Sequence, residues 1–168
     1  MGEVKNLDQQ EGLRKLRELA KNEICLFCTF EVENHITVRP MGTQDIDEEG
    51  NIWFFSRNDS EKNMQIEVDH RVQLLYSNPS RQNYLSVEGI AIVLRDSEKI
   101  REIWKPIAKA WFSEGKDDPS LTLIKVIPDQ AHYWDTKNGK MVSFLKIIAA
   151  SITGKTMDGG VEGNIKIR

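Results

Sequence analysis

Apolar positions in residues 8 to 22 recur at helical spacing. Leu13, Leu16, Leu19 and Ala20 fall at i, i+3, i+6 and i+7 among charged neighbours, which predicts an amphipathic opening helix. The period then shortens to two. "EICLFCTFEV" and "HITVRPM" read as β-strands joined by "ENH", and "IWFFS" reads as a third strand after the acidic connection "TQDIDEEGN". In that connection Gly50 precedes Asn51 and allows the positive φ that a tight reversal often needs. Ser60 is placed to cap a short helix running to about Asp69. "VQLLYSN" and "NYLSVEGIAIVL" follow as strands turned by "PSRQ", and Gly89 inside the second marks a bulge or a sharp bend.

Helical spacing returns at "SEKIREIWKPIAKAWF". Ile100, Ile103, Trp104, Ile107, Ala108 and Trp111 share one stripe, Ser97 is the expected N-cap, and Pro106 is expected to kink or split the helix. "LTLIKVI" and "QAHYWDT" predict two last core strands before a turn at Asn138-Gly139. "MVSFLKIIAASITG" predicts a final helix stopped at Gly154, and the glycine-rich "KTMDGGVEGNIKIR" predicts a loosely held tail. The order is helix, many antiparallel-type strands, then helices. It predicts a mainly β chain of the α+β class, a small antiparallel barrel of six or more strands with helices packed outside. Residues 1–168 are expected to form one domain, ordered over about 8–154, with 155–168 loosely held.

Composition narrows the class. At 168 residues and 39% hydrophobic, the chain suits one globular core. The N-terminal segment alternates charge with leucine and carries no uninterrupted apolar block, so a cytoplasmic protein that does not span a membrane is expected. A formal net charge of -3 gives no broad basic field, so nucleic-acid binding has little support and any anion site must be local. Cys25 and Cys28 form a C-x-x-C, but on a strand positions i and i+3 face opposite ways, which argues against a shared metal or a redox pair. His35, His70 and His132 are scattered without ligand spacing, and no metal site is expected.

One local constellation suits an anion. A phosphomonoester is held by positive charge, hydroxyl donors and backbone N–H groups converging from rigid elements. Arg39 lies near the end of one strand and Ser56 at the end of the next, while Ser60 and Lys62 stand at a helix start with its free N–H groups and positive dipole end. If the two strands pair, these groups converge. The alternative is that Arg39 and Lys62 are solvated surface charges, because short polar clusters after strands are common.

The ordered set Arg39-Pro40-Met41, "GNIWFFSRNDSEK", "YLSVEGIA", "WFSEGKDDPSLTLIKVIP" and "HYWD" resembles the pyridoxamine 5'-phosphate oxidase-like flavoproteins, in particular their general stress protein branch, over roughly residues 8 to 136. The resemblance implies an FMN-binding split β-barrel. It implies that Arg39 and Lys62 hold the FMN phosphate with Ser56 donating to it. Backbone groups of Pro40 and Met41 would run along the isoalloxazine edge, with Phe55 beside the cofactor and Tyr84 where the oxidases hold a polar side chain to the flavin. Glu61 departs from the pattern, standing where the oxidases place a second basic phosphate ligand; Arg57 is the candidate to compensate. The resemblance also implies a homodimer with the flavin at the subunit interface, and Trp111, Phe112 and Trp134 as candidates to cover it from the partner chain. Read from the residues alone, Trp111 continues the apolar stripe of its helix, a core position, whereas Trp134 alternates with Tyr133.

The reaction is less constrained than the cofactor. The oxidases' C-terminal arginine-containing substrate motif has no match in "GGVEGNIKIR". An FMN-dependent oxidoreductase or flavin reductase acting on an unknown small substrate is the first expectation, with FAD an acceptable cofactor. A non-catalytic flavin-binding protein that stores or senses the cofactor is the second. A barrel that has adopted haem through His70 or His132 is the third.

Overall fold

The structure, a computed structural model, describes residues 3–136, 160–165 and 167. Strand β1 (Glu3–Val4) is followed by helix α1 (Gln9–Ala20), β2 (Ile24–Phe30), β3 (Ile36–Gly42), β4 (Asp45–Ile46), β5 (Ile52–Arg57) and α2 (Glu61–Val68). Next come β6 (Arg71–Asn78), β7 (Asn83–Leu94), α3 (Ser97–Ile103), β8 (Leu121–Thr136) and β9 (Gly160–Ile165). The expected final helix at 141–154 lies outside the described residues.

All pairings among the described strands are antiparallel except that of β1 with β9. The path runs β1-β9-β8-β7-β6-β2-β3, and β5 adds to β8 and carries β4. β8 is a single strand where two were expected. Its Leu121–Val126 segment pairs with β5 and its Ala131–Thr136 segment with β9, while β7 runs along it from Leu123 to Trp134. With β7 on one edge, β5 and β9 divide the other, and the sheet splits between them. On the far side of the core, Phe27 of β2 meets Phe54 of β5 edge to face, their ring centroids 5.2 Å apart. The result is a mainly β split barrel with helices packed on it.

Three local expectations are refined. The expected bulge is at Gly89, where the β7–β8 register shifts between Glu88 and Gly89. A Cβ there would stand 2.3 Å from the Ile127 carbonyl oxygen, so only glycine lets the strands approach. The N-cap of α3 is Asp96 rather than Ser97, because the Asp96 carboxylate accepts from the backbone N–H groups of Glu98 and Lys99. Pro106 does split the apolar stripe: α3 ends at Ile103, and a 3-10 turn takes over at Pro106–Ala110.

The tail is corrected more fully. Gly160–Ile165 is not loosely held but forms a strand between β8 and β1. A Cβ at Gly163 would lie 2.0 Å from the Lys5 carbonyl oxygen. The glycine admits a neighbouring backbone, so its presence signals contact rather than looseness.

Candidate anion-binding site

Strand alternation decides which residues of β3 can meet α2. Arg39 pairs with Phe27, which pairs with Leu74, and that row faces the core. Pro40 pairs with Leu26, which pairs with Leu75, and that row faces outward. Because β3 is an edge strand, the Arg39 side chain runs along the core side of the edge to α2 rather than into the barrel. Its Nη2 donates to Gln65 Oε1 at 2.7 Å and its Nη1 to Thr29 Oγ1 at 3.2 Å.

Two cations share this edge. Desolvation lowers the pKa of the half-buried Lys62 ammonium, and the charge of Arg39 lowers it further. Arg39 is lowered in turn by desolvation, against which Glu61 and Glu31 pull it up. Among the described residues neither Arg39 nor Lys62 forms an ion pair within 4.0 Å. Glu61 and Glu31 act on Arg39, and Asp59 on Lys62, without direct pairing, so the repulsion between the two partly desolvated cations is only partly offset and a bound anion would relieve it further.

Hydroxyls and backbone donors complete the group. Ser56 at the end of β5 is buried; its Oγ donates to Asn63 Oδ1 at 2.7 Å and lies 3.1 Å from Ser60 Oγ. Asn63 in turn donates to the Arg57 carbonyl and to Thr122 Oγ1, tying the start of α2 to β5 and β8. Ser60 occupies the N-cap position of α2 but makes no side-chain capping bond. The first-turn N–H groups of Glu61 and Lys62 have no intrahelical acceptor. Ser56 thus spends its one proton on Asn63, leaving Ser60 as the hydroxyl best placed to turn towards a ligand. Glu61 sits close enough to Arg39 to raise its pKa, so it opposes an anion at this point. Arg57 does not compensate in this geometry: its guanidinium is bonded to Asp59.

The remaining candidates lie apart from this group. Tyr84 and Trp134 are cross-strand partners on the outer sheet face, each 41% exposed, opposite to the face that carries Arg39. Pro40 shares that outer face, while Met41 packs against the main core. Phe55 packs against Trp104 and Phe112 in a second apolar cluster, with ring centroids 5.6 and 6.2 Å away. Phe112 is buried, whereas Trp111, read from the stripe as a core position, is 66% exposed because the helix has already given way to the 3-10 turn. Within one chain Trp111, Trp134 and Tyr84 are therefore not gathered around Arg39. His132 lies on the outer face with its Nδ1 2.8 Å from Asn164 Oδ1, and His70 is exposed. Gln65, Thr29 and Glu31 were missed as members of the site. Their signal was the i, i+4 spacing of Glu61 and Gln65 on α2 and the cross-strand pairing of Thr29 with Thr37.

The family model described as "pyridoxamine 5'-phosphate oxidase like" matches residues 11–158. The chain belongs to that family. A curated relative, protein bli-3 of Neurospora crassa, is 29% identical over 113 residues, covering 61% of this chain and 53% of that protein. The match thus spans about half the length of that relative. Among solved structures, a candidate general stress protein 26 from Jannaschia sp. CCS1 superposes with a TM-score of 0.75 at 23% identity, covering 94% of this chain and 96% of that one. The general stress FMN/FAD binding protein of Xanthomonas citri superposes with a TM-score of 0.64 at 25% identity, covering 77% and 91%. These likenesses agree with the split-barrel fold and with the general stress protein branch of the pyridoxamine 5'-phosphate oxidase-like family.

Proposed function

We propose that this chain is a flavin-binding protein that takes FMN, with FAD an acceptable substitute, and that it acts as an oxidoreductase on a small substrate. The observation that carries this is the shared edge of Arg39 and Lys62, two cations from different elements with no ion pair among the described residues. It fits a phosphomonoester in charge and in donors: a guanidinium, an ammonium, the Ser60 hydroxyl and the free N–H groups of a helix start. The description of the Xanthomonas citri relative as an FMN/FAD binding protein points the same way. Arg39 and Lys62 hold the phosphate, and the backbone at Pro40 and Met41 lines the ring edge. Bound flavin would supply hydride chemistry, and the chain would supply orientation and exclusion of water.

The same proposal includes a homodimer. The outer faces of β2, β3, β6 and β7 carry Leu26, Val38, Leu75, Ile90 and Ile92, all exposed, where a solvated antiparallel face would carry polar residues. Tyr84 and Trp134 stand on this face, so the partner subunit is the route by which they would approach a flavin. A cytoplasmic setting belongs to the proposal too: both cysteines are free and buried, and no helix among the described residues is long and apolar enough to cross a membrane.

Titration of FMN into apo-protein tests the binding: quenched flavin fluorescence with a saturable end point is expected, and its absence would overturn the proposal. Stopped-flow mixing of the loaded protein with NADH or NADPH separates the catalyst from a storage or sensing protein. Fast, saturable bleaching of the flavin supports the oxidoreductase, and none supports the binder. Light scattering of apo and FMN-loaded protein tests the dimer, which a monomer that retains FMN would contradict.

A further inference from the structure

Gln65 is buried on α2, and every hydrogen-bonding position of its amide is engaged. Oε1 accepts from Arg39 Nη2 at 2.7 Å and from Thr29 Oγ1 at 2.7 Å. Nε2 donates to Glu31 Oε1 at 2.8 Å and to Glu61 Oε1 at 3.3 Å. The opposite amide orientation would set N–H against the guanidinium and oxygen against two carboxylates, so the surroundings fix it. Glu31 is held as well, accepting from Thr37 Oγ1.

One neutral amide therefore stands between a guanidinium and two carboxylates. A carboxylate placed directly on Arg39 would form a charge-assisted pair and spend its positive charge within the protein. An amide oxygen fixes the guanidinium by the same geometry but leaves that charge in place. Arg39 uses Nη1 and Nη2 on Thr29 and Gln65, and its remaining N–H groups stay free for a further acceptor.

We propose that Gln65 is a positioning residue: it aims Arg39 at the incoming anion and keeps Glu31 and Glu61 from pairing directly with its guanidinium. The proposal rests on the phosphate role given above to Arg39, and it adds a determinant of selectivity for phosphorylated over unphosphorylated flavin. Glu31 sets the strength of that selectivity by its distance, held one amide away from the guanidinium.

Isothermal titration of FMN and of riboflavin into the full chain and its variants tests this. In Gln65→Glu a nearly isosteric carboxylate replaces the amide on Arg39, and FMN affinity is expected to fall at least about tenfold while riboflavin affinity stays unchanged. The exchange variant Gln65→Glu with Glu31→Gln keeps the total charge of the network and swaps only the positions. Its FMN affinity is expected to remain as low as that of Gln65→Glu. Wild-type FMN affinity in both would overturn the proposal. Should circular dichroism show Gln65→Glu to be unfolded, Gln65→Met, which adds no charge, is expected to weaken FMN but not riboflavin, and wild-type affinity there would overturn the proposal equally. Arg39→Ala is measured in parallel. If it leaves FMN affinity unchanged, the phosphate assignment falls and the role of Gln65 falls with it; if it weakens FMN while the Gln65 variants do not, the role of Gln65 alone falls.

Discussion

Arg39 and Lys62 lie on different elements, strand β3 and helix α2, and the charge of Arg39 depresses the pKa of a Lys62 ammonium that desolvation has already lowered. Glu61, Glu31 and Asp59 offset this only in part and pair directly with neither cation, so an anion arriving at the edge between them gains energy.

Arg39→Ala and Lys62→Ala are each expected to remove a charge-assisted bond of roughly 1.5 to 3 kcal/mol, or about 10- to 150-fold in FMN affinity. Because both groups would share one phosphate, the double variant should differ from the sum of the singles. Lys116→Ala, at an exposed position in the loop before β8, should change nothing. Titration calorimetry of the four proteins checks this. Wild-type affinity in both single variants would return Arg39 and Lys62 to ordinary surface charges.

The lowered pKa of Lys62 also predicts a pH dependence. A bound phosphate favours the protonated ammonium, so binding takes up a proton wherever free Lys62 is partly neutral. FMN affinity relative to riboflavin should therefore fall as pH rises towards the ordinary lysine value of 10.5, starting below it. Lys62→Met should flatten the ratio over that range. For the apo-protein the sign is opposite. The unfolded chain keeps its Lys62 proton to higher pH than the folded one, so this residue's contribution to stability rises between the lowered folded pKa and 10.5. Chemical denaturation of wild type and Lys62→Met across that range measures it.

The cysteines should be inert in the native state. Burial pushes the Cys25 thiol up to about 12, and burial raises Cys28 as well, against the pull of nearby Arg39. At neutral pH neither is a thiolate, so a thiol reagent should label both only after unfolding. Rapid labelling of native protein would contradict this.

Gly89→Ala should destabilise the barrel without touching the anion site. Its Cβ would be driven against the Ile127 carbonyl oxygen at 2.3 Å, an overpacking of the kind that costs about 1 to 3 kcal/mol. Urea denaturation measures the loss, and unchanged stability would mean that β7 and β8 can part at the bulge.

Much of this architecture was legible in the chain because it is written in local periodicity. The stripe of Leu13, Leu16 and Leu19 marks α1, the alternation of "ITVRPMG" marks β3, and Gly89 marks the bulge where it occurs. What could not be read depends on contacts distant in sequence. Gly163 looked like slack because nothing local shows that the Lys5 carbonyl comes up against it. Trp111 looked like core because its stripe continues past Pro106, although the helix does not. Arg39 and Lys62 were visible as residue types, but Gln65 was not, since its role exists only once α2 is laid against Thr29 and Arg39.

The central claim is that Arg39 and Lys62 hold the phosphate of a flavin, and the most direct test compares FMN with riboflavin, which differ by that phosphate alone. Fluorescence-quenching titrations of the wild-type apo-protein at neutral pH and low salt should show FMN binding at least about tenfold more tightly than riboflavin. In Arg39→Ala the gap should narrow through loss of FMN affinity alone. Equal affinities for the two flavins in the wild-type protein would contradict the account.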